Sequence, residues 1–141
     1  MRESLIKLLN SYLMLFPEEA ERQKLLIEYL DSHKDNELVN WNNFDGHIVA
    51  GGFIYAKEEN KFLVLYHNDL KMFLYPGGHV DSSDVNTLSA AKREILEETG
   101  LDHLEQLKML VITKFSDNLK NLKLTARNLM QVLKIQWVGT K

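Results

Sequence analysis

Three glutamates in the second half of the chain have the type and spacing that can bind a divalent cation. Glu94, Glu97 and Glu98 stand at positions i, i+3 and i+4 of a segment with helical periodicity, so their side chains project from neighbouring positions of one surface. Like charges at this spacing destabilise a helix unless a positive group compensates them. Arg93 can reach Glu97, while Mg²⁺, which prefers oxygen ligands and substrate phosphates, could be held by Glu94 and Glu98. The alternative is a solvated charged face.

The residues around these glutamates form a longer pattern. A Pro-Gly-Gly corner ends at Gly78, a polar loop with Asp81 and Asp84 follows, and the run REILEETG comes next. A solvated surface does not readily produce this combination. From Gly78 to Leu101 the chain resembles the Nudix hydrolases, whose signature is Gly, five residues, Glu, seven residues and then Arg-Glu-U-x-Glu-Glu-x-Gly-U, with U aliphatic.

The match to this signature is complete in its second half and incomplete in its first. The residues from Arg93 to Leu101 fit every position. After five intervening residues from Gly78 the chain has Asp84 instead of Glu, and eight residues separate Asp84 from Arg93. The loop is therefore one residue longer and its acid one methylene shorter, which leaves the role of Asp84 open.

The resemblance implies roles for the matching residues. The glutamates match metal-binding and catalytic positions, the arginine matches the one that orients them, and the glycine matches the one near which a backbone carbonyl reaches the metal. These residues are Gly78, Arg93, Glu94, Glu97 and Glu98. The implied cofactor is Mg²⁺, and Mn²⁺ could replace it because both accept this ligand set.

Other polar and aromatic residues are candidate contacts to a substrate. His79, Asp81 and Asp84 lie in or beside the loop of the signature, although a loop histidine is more often a surface or packing residue. Aromatic side chains often stack on a nucleotide base, and the candidates for this are Trp41, Phe44 and Phe73. Core packing is the commoner fate of such residues.

The resemblance implies hydrolysis of a nucleoside diphosphate linked to another group. This reaction needs a cation to neutralise the phosphoryl oxygens and activate water, and a carboxylate to accept a proton. No proline follows Pro76 and no tyrosine follows Tyr75, so markers of narrower subfamilies are missing. We therefore expect a pyrophosphohydrolase of nucleoside triphosphates, similar to the MutT type. The alternative is a catalytically weak or silent Nudix domain that binds a nucleotide or a protein, since the loop is altered at Asp84 and only residues 102–141 follow the signature.

Hydrophobic patterns predict the elements that position this signature. Apolar steps of three and four residues predict a helical hairpin over residues 3 to 33, and the polar run 31–37 is the only plausible linker. Strands are predicted at 46–56, 61–67 and 72–75, the last ending in a Pro-Gly-Gly corner that cannot continue a ladder. A helix is predicted over 87–99, capped by Asn86 or Thr87 and stopped by Gly100, with Leu88, Ala91, Ile95 and Leu96 as candidates for its apolar side.

The C-terminal segment and the resemblance complete the expected fold. A strand is predicted at 107–115, a helix over 119–133 and a strand at 132–138. The fold class is α/β: a Nudix-type α/β/α sandwich with a mixed β-sheet and an N-terminal helical extension. We expect one domain over residues 1–141, with the extension at 1–35 and the Nudix core at 44–141, whose C-terminal part is short.

The amino-acid composition limits the kinds of molecule that the chain is expected to bind. The 141 residues are 45% hydrophobic, as in one globular domain, and a net charge of −3 argues against nucleic acid as a partner. There is no cysteine, which fits the cytoplasm, and no apolar run of about 20 residues that could cross a membrane. The expected partner is a small-molecule nucleotide or another diphosphate. A homodimer is a further expectation if the short C-terminal part leaves a sheet edge unpaired, and the helical hairpin could serve a protein partner.

Overall fold

A computed structural model describes residues 1–43, 46–108 and 134–137 of the chain. Its helices are α1 (Arg2–Leu15), α2 (Lys24–Ser32), α3 (Asp35–Leu38) and α4 (Thr87–Thr99), with a 3₁₀ turn at Pro17–Glu19. Its strands are β1 (Val49–Gly51), β2 (Phe53–Ala56), β3 (Lys61–Phe62), β4 (Leu65–His67), β5 (Met72–Leu74), β6 (Gly77–His79), β7 (Leu104–Lys108) and β8 (Lys134–Trp137). No helix in this part of the chain is both long and apolar enough to cross a bilayer.

The strands form one four-stranded sheet and two strand pairs. The sheet has the order β3-β2-β8-β7, in which β2 runs parallel to β8 and antiparallel to β3, and β7 runs antiparallel to β8. The pairs β1–β6 and β4–β5 are antiparallel. The mixed sheet and the helices confirm the predicted α/β fold class, including the N-terminal helices.

The segment after Pro76 corrects one prediction. The Pro-Gly-Gly corner was expected not to continue a ladder, yet Gly77–His79 form β6 and pair with β1, with Gly78 opposite Ala50. Pro76 precedes the paired residues, so its missing N–H removes no ladder bond. The strand predicted over 46–56 instead breaks at Gly52, whose N–H donates to the carbonyl of Pro76 at 3.0 Å. As a result β1 and β2 join different sheets.

The N-terminal helices confirm the predicted hairpin but not the linker. Instead of a loop over 31–37, α2 continues to Ser32 and α3 begins at Asp35. The single turn of α3 has a polar sequence in which only Leu38 is buried, so it has no hydrophobic period to detect. Leu38 is fully buried and fastens this segment to the core.

The main core joins the N-terminal helices to the segment that carries the signature. Its buried residues are Leu5, Leu26, Tyr29, Leu30, Leu38, Ile48, Ala50, Val80, Ala90 and Ala91. A smaller cluster contains Ile54 and Ile95. Helix α4 thus contributes buried residues to both clusters. Ala91 and Ile95 are buried as predicted, and Leu88 is half-buried. The prediction that Leu96 lies on the apolar side is wrong, because its side chain is exposed.

The C-terminal strands are described in part. The strand β8 lies within the predicted strand 132–138, and β7 begins at Leu104, before the predicted 107–115. The rest of that strand and the helix predicted over 119–133 lie outside the described residues.

Candidate functional site

Helix α4 carries the glutamates, and both of its ends are fixed. The Asn86 side chain accepts a hydrogen bond from the Ser89 N–H at 2.9 Å, and the Ser89 hydroxyl accepts one from the Asn86 N–H at 3.0 Å. This reciprocal capping satisfies two N–H groups at the start of the helix. Gly100 ends it in the left-handed conformation, at φ 73°. The predicted cap and stop are therefore confirmed.

The guanidinium of Arg93 lies at the centre of an acidic cluster. Its Nη1 donates to Glu94 Oε1 at 2.9 Å and to Glu97 Oε2 at 3.1 Å, and its Nη2 donates to Asp84 Oδ2 and to the carbonyl of His79, both at 2.9 Å. The hydrogen bond to Asp84, followed by that to Glu94, raises the pKa of Arg93 above its usual value, although burial opposes this. Arg93 therefore stays charged and orients two of the three glutamates.

Asp84 is a partner of Arg93. Its side chain is only 6% exposed, and one of its oxygens also accepts a hydrogen bond from the Asp81 N–H at 2.8 Å. The loop forms a tight turn, in which the Asp84 N–H donates to the carbonyl of Asp81 at 3.0 Å. Within this turn the shorter acid reaches Arg93. The sequence left the role of Asp84 open, because its contact with Arg93 depends on the turn between Asp81 and Asp84.

Asp81, another predicted substrate contact, organises the same turn. Its Oδ1 accepts hydrogen bonds from the Ser83 N–H at 3.0 Å and from the hydroxyls of Ser83 and Ser82. These bonds, with those from Ser83 first, lower the pKa of the Asp81 carboxyl. Asp81 is exposed, so its other oxygen faces solvent or a ligand.

Glu94 and Glu98 lie against the backbone of β6. Glu98 Oε2 accepts a hydrogen bond from the Gly77 N–H at 2.9 Å. A Cβ built on Gly78 would lie 2.5 Å from Glu94 Oε2, so a side chain at this position would displace the carboxylate. The Glu94 side chain is 14% exposed, whereas that of Glu97 is 57% exposed. The structure thus brings two glutamates one helical turn apart to the two glycines.

The donor set fits a hard cation, but the side chains do not converge on one point. Carboxylate and carbonyl oxygens are the ligands that Mg²⁺ prefers. In the part of the chain that the structure describes, no three acidic or histidine side chains come close enough together to hold an ion. The reason is that Glu94 and Glu97 bond to Arg93 and Glu98 bonds to Gly77. Glu97 and Glu98 are exposed and can change rotamer without disturbing the core.

A pocket of about 330 Å³ opens beside Glu94 and Arg93. Its remaining lining comes from the last residue of β6, the loop after it and the segment after α3: Val39, Asn40, Trp41, His79, Val80, Asp81 and Ser82. The His79 ring lies 4.9 Å from that of His47 and 6.4 Å from that of Trp41, measured between centroids. Sequence reasoning named His79 and Trp41 but found no role for His47. No local pattern could predict the contact between His47 and His79, because it joins segments that are far apart in the chain.

The comparison with protein families agrees with this geometry. The model of the NUDIX domain matches residues 45–133, which is more than half of the chain. The chain belongs to the Nudix family. Membership supports a general pyrophosphohydrolase activity, and Nudix enzymes generally use divalent metals such as Mg²⁺ and bind nucleotide-like substrates. The Nudix match begins after α3, so the N-terminal helices lie outside it. No curated protein matches the chain at a significant level.

Proposed function

We propose that this Nudix chain is a Mg²⁺-dependent hydrolase that cleaves a nucleoside diphosphate linked to another group, with nucleoside triphosphates as the favoured substrates. The observation that carries the proposal is the contact of Glu94 and Glu98 with the backbone of Gly77 and Gly78, beside Arg93 and an open pocket. Two carboxylates and a backbone segment meet there next to a space that can hold a diphosphate.

The residues divide into ligands and positioning groups. Glu94, Glu98 and the backbone at Gly78 would hold the cation, with Glu97 as a further ligand or as the proton acceptor. When bound, the cation supplies charge neutralisation on the phosphoryl oxygens and a lower pKa for water. Arg93 holds Glu94 and Glu97 in place, because its guanidinium donates to both carboxylates.

The proposed reaction is the hydrolysis of a phosphorus–oxygen bond in the diphosphate. A water oxygen bonds to a phosphorus of the diphosphate, and the bond between that phosphorus and the bridging oxygen breaks. One of the three glutamates accepts the proton of the water. The electron pair of the broken bond leaves with the departing phosphate. Exposed Glu97 and Glu98 side chains give the water access from solvent.

A substrate panel tests this proposal. Nucleoside triphosphates, nucleotide sugars, dinucleotides and ADP-ribose are incubated with the whole chain, with Mg²⁺ and with a chelator. We expect turnover that needs the metal and that falls by several orders of magnitude in Glu98→Gln. The matched control is Glu58→Gln, which changes an exposed glutamate of the β2–β3 turn and should leave turnover unchanged. Equal turnover in Glu98→Gln and wild type would contradict the proposal.

A second candidate function is nucleotide binding without turnover. It is favoured by the pairing of Glu94 and Glu97 with Arg93, which keeps the carboxylates apart in this conformation. Binding of a nucleotide by a folded protein that cleaves no member of the panel would support this candidate over the hydrolase.

A further inference from the structure

Trp41 is an exposed aromatic residue on the wall of the candidate site. Its side chain is 65% exposed, and it lines the same pocket as Glu94 and Arg93. A solvated indole next to carboxylates and a guanidinium offers a large apolar face at a polar site. Covering that face with a planar ligand would remove apolar surface from water.

Two imidazole rings lie next to this indole, and that of His79 lines the same pocket as Glu94. The His79 ring lies near those of both Trp41 and His47, and the His79 carbonyl accepts the hydrogen bond from Arg93 Nη2. His79 also follows Gly78, against which the Glu94 carboxylate lies. A ligand that stacks on Trp41 or His79 therefore lies in the same pocket as Glu94.

The helical extension holds Trp41 in place. The Asn42 N–H donates to the Asn40 side chain at 3.1 Å, and the Asn43 N–H donates to the Asn40 carbonyl at 2.9 Å, which forms a tight turn around Trp41. The side-chain amide of Asn43 donates to the hydroxyl of Tyr29 on α2 at 3.2 Å. The indole is thus presented by a turn fixed to α2 before any ligand arrives, which lowers the ordering cost of binding.

We propose that Trp41, with His79 beside it, binds the base of the nucleotide substrate, so that the segment after α3 determines substrate recognition, while His47 supports the ring of His79. This rests on the proposed function in that it requires a substrate that carries a base. Trp41 precedes residue 45, where the Nudix match begins, so the recognition group comes from the part of the chain outside the match. Base stacking tolerates different bases because every base has a π-face. We therefore expect the site to bind ligands that carry a base much better than ligands without one, and to discriminate little among different bases.

Binding of two matched probes tests the proposal without turnover. AMP and ribose 5-phosphate differ by the adenine and contain no diphosphate to cleave. We expect AMP, but not ribose 5-phosphate, to quench the tryptophan fluorescence of the whole chain. The chain has two tryptophans, Trp41 and Trp137. Quenching should persist in Trp137→Phe and disappear in Trp41→Phe.

Calorimetry measures the size of the effect. Trp41→Ala should raise the Kd for AMP by roughly 5- to 150-fold, the range that corresponds to loss of one stacked base, and Trp41→Phe should raise it less. The matched control is Phe73→Ala, because Phe73 is 67% exposed but packs on Tyr66 in the β4–β5 pair. An unchanged Kd in Trp41→Ala, or an equal loss in Phe73→Ala, would overturn the proposal.

Kinetics separate this inference from the proposed function. If the panel yields a substrate, Trp41→Ala should raise KM for that substrate by a similar factor while kcat changes little, since the reacting atoms are untouched. Unchanged KM for a base-bearing substrate would overturn the stacking site and leave the hydrolase intact. Trp41-dependent AMP binding with no turnover in the panel would support the stacking site and contradict the hydrolase.

Discussion

Asp84 and Arg93 form a two-pronged ion pair across the loop that precedes α4. Asp84 Oδ2 lies 2.9 Å from Arg93 Nη2, and Asp84 Oδ1 lies 3.4 Å from Arg93 Nε. Nη1 of the same guanidinium bonds to Glu94 and Glu97. Asp84 therefore acts on the proposed ligands through Arg93, although it touches none of them.

Removal of Asp84 should reduce kcat more than it changes KM. Asp84→Ala frees one side of Arg93, so that the guanidinium no longer has a fixed orientation towards Glu94 and Glu97. Loss of a group that orients metal ligands typically costs about 10- to 100-fold in activity or metal affinity. Steady-state kinetics on the substrate found in the panel measures the effect.

Two further variants control the Asp84 prediction. Asp84→Glu should also lower kcat, because the tight turn already brings the shorter acid within reach of Arg93 and another methylene would displace its carboxylate. Asp69→Ala changes an exposed aspartate in the connection between β4 and β5 and should keep wild-type kinetics. Full activity in Asp84→Ala would refute the positioning role.

Two glycine-to-alanine variants should separate activity from stability. Gly78→Ala places a methyl group where the Glu94 carboxylate lies, so we expect a loss of activity at least as large as that of Asp84→Ala. Gly100→Ala forces a side chain into the left-handed conformation at the end of α4, which costs about 1–2 kcal/mol of stability but adds no contact at the site. Urea denaturation and kinetics on both variants measure the two effects. Retained activity in Gly78→Ala would contradict the placement of Glu94.

Substitution of Leu30 tests whether the N-terminal helices and the Nudix core unfold together. Leu30 is 1% exposed and belongs to the cluster that includes Val80, Ala90 and Ala91. Leu30→Ala should lower the free energy of unfolding by about 2–5 kcal/mol in a single cooperative transition. Leu25→Ala, on the exposed side of α2, should change it by less than about 0.5 kcal/mol. Two separate transitions would instead favour the helices as an independent interaction module.

Mg²⁺ should stabilise the folded chain through the glutamates. A ligand that binds only the folded state at about 100 times its Kd adds roughly 2.7 kcal/mol to the free energy of unfolding. We expect Mg²⁺ to raise the Tm of the wild type and of Glu58→Gln, and a chelator to reverse the shift. The double variant Glu94→Gln/Glu98→Gln should show no shift. An equal shift in the double variant would place the cation elsewhere.

The parts of the site that depend on local spacing could be predicted from the sequence. Helix α4, its cap at Asn86 and the Arg93–Glu97 contact all follow from residues within one or two helical turns. The Asp84–Arg93 pair could not be derived, because it requires the turn at Asp81. Strand β6 was missed because its partner β1 lies far away in the chain, and only that pairing makes a Gly-Gly segment a strand. The short helix α3 could not be predicted, because its polar sequence has no hydrophobic period.

The close contact between β1 and β6 has a consequence for the precision of the site. A Cβ on Gly77 would lie 2.5 Å from the Cα of Gly51, and a Cβ on Gly51 would lie 2.6 Å from the Pro76 carbonyl oxygen. The two backbones touch, so a side chain at Gly51 or at Gly77 would force the two strands apart. Glycine at both positions is therefore what allows Gly77–His79 to lie directly against β1. A larger residue at either position would move the Gly77 N–H away from the Glu98 carboxylate, so two backbone atoms without side chains help to set the position of a proposed metal ligand.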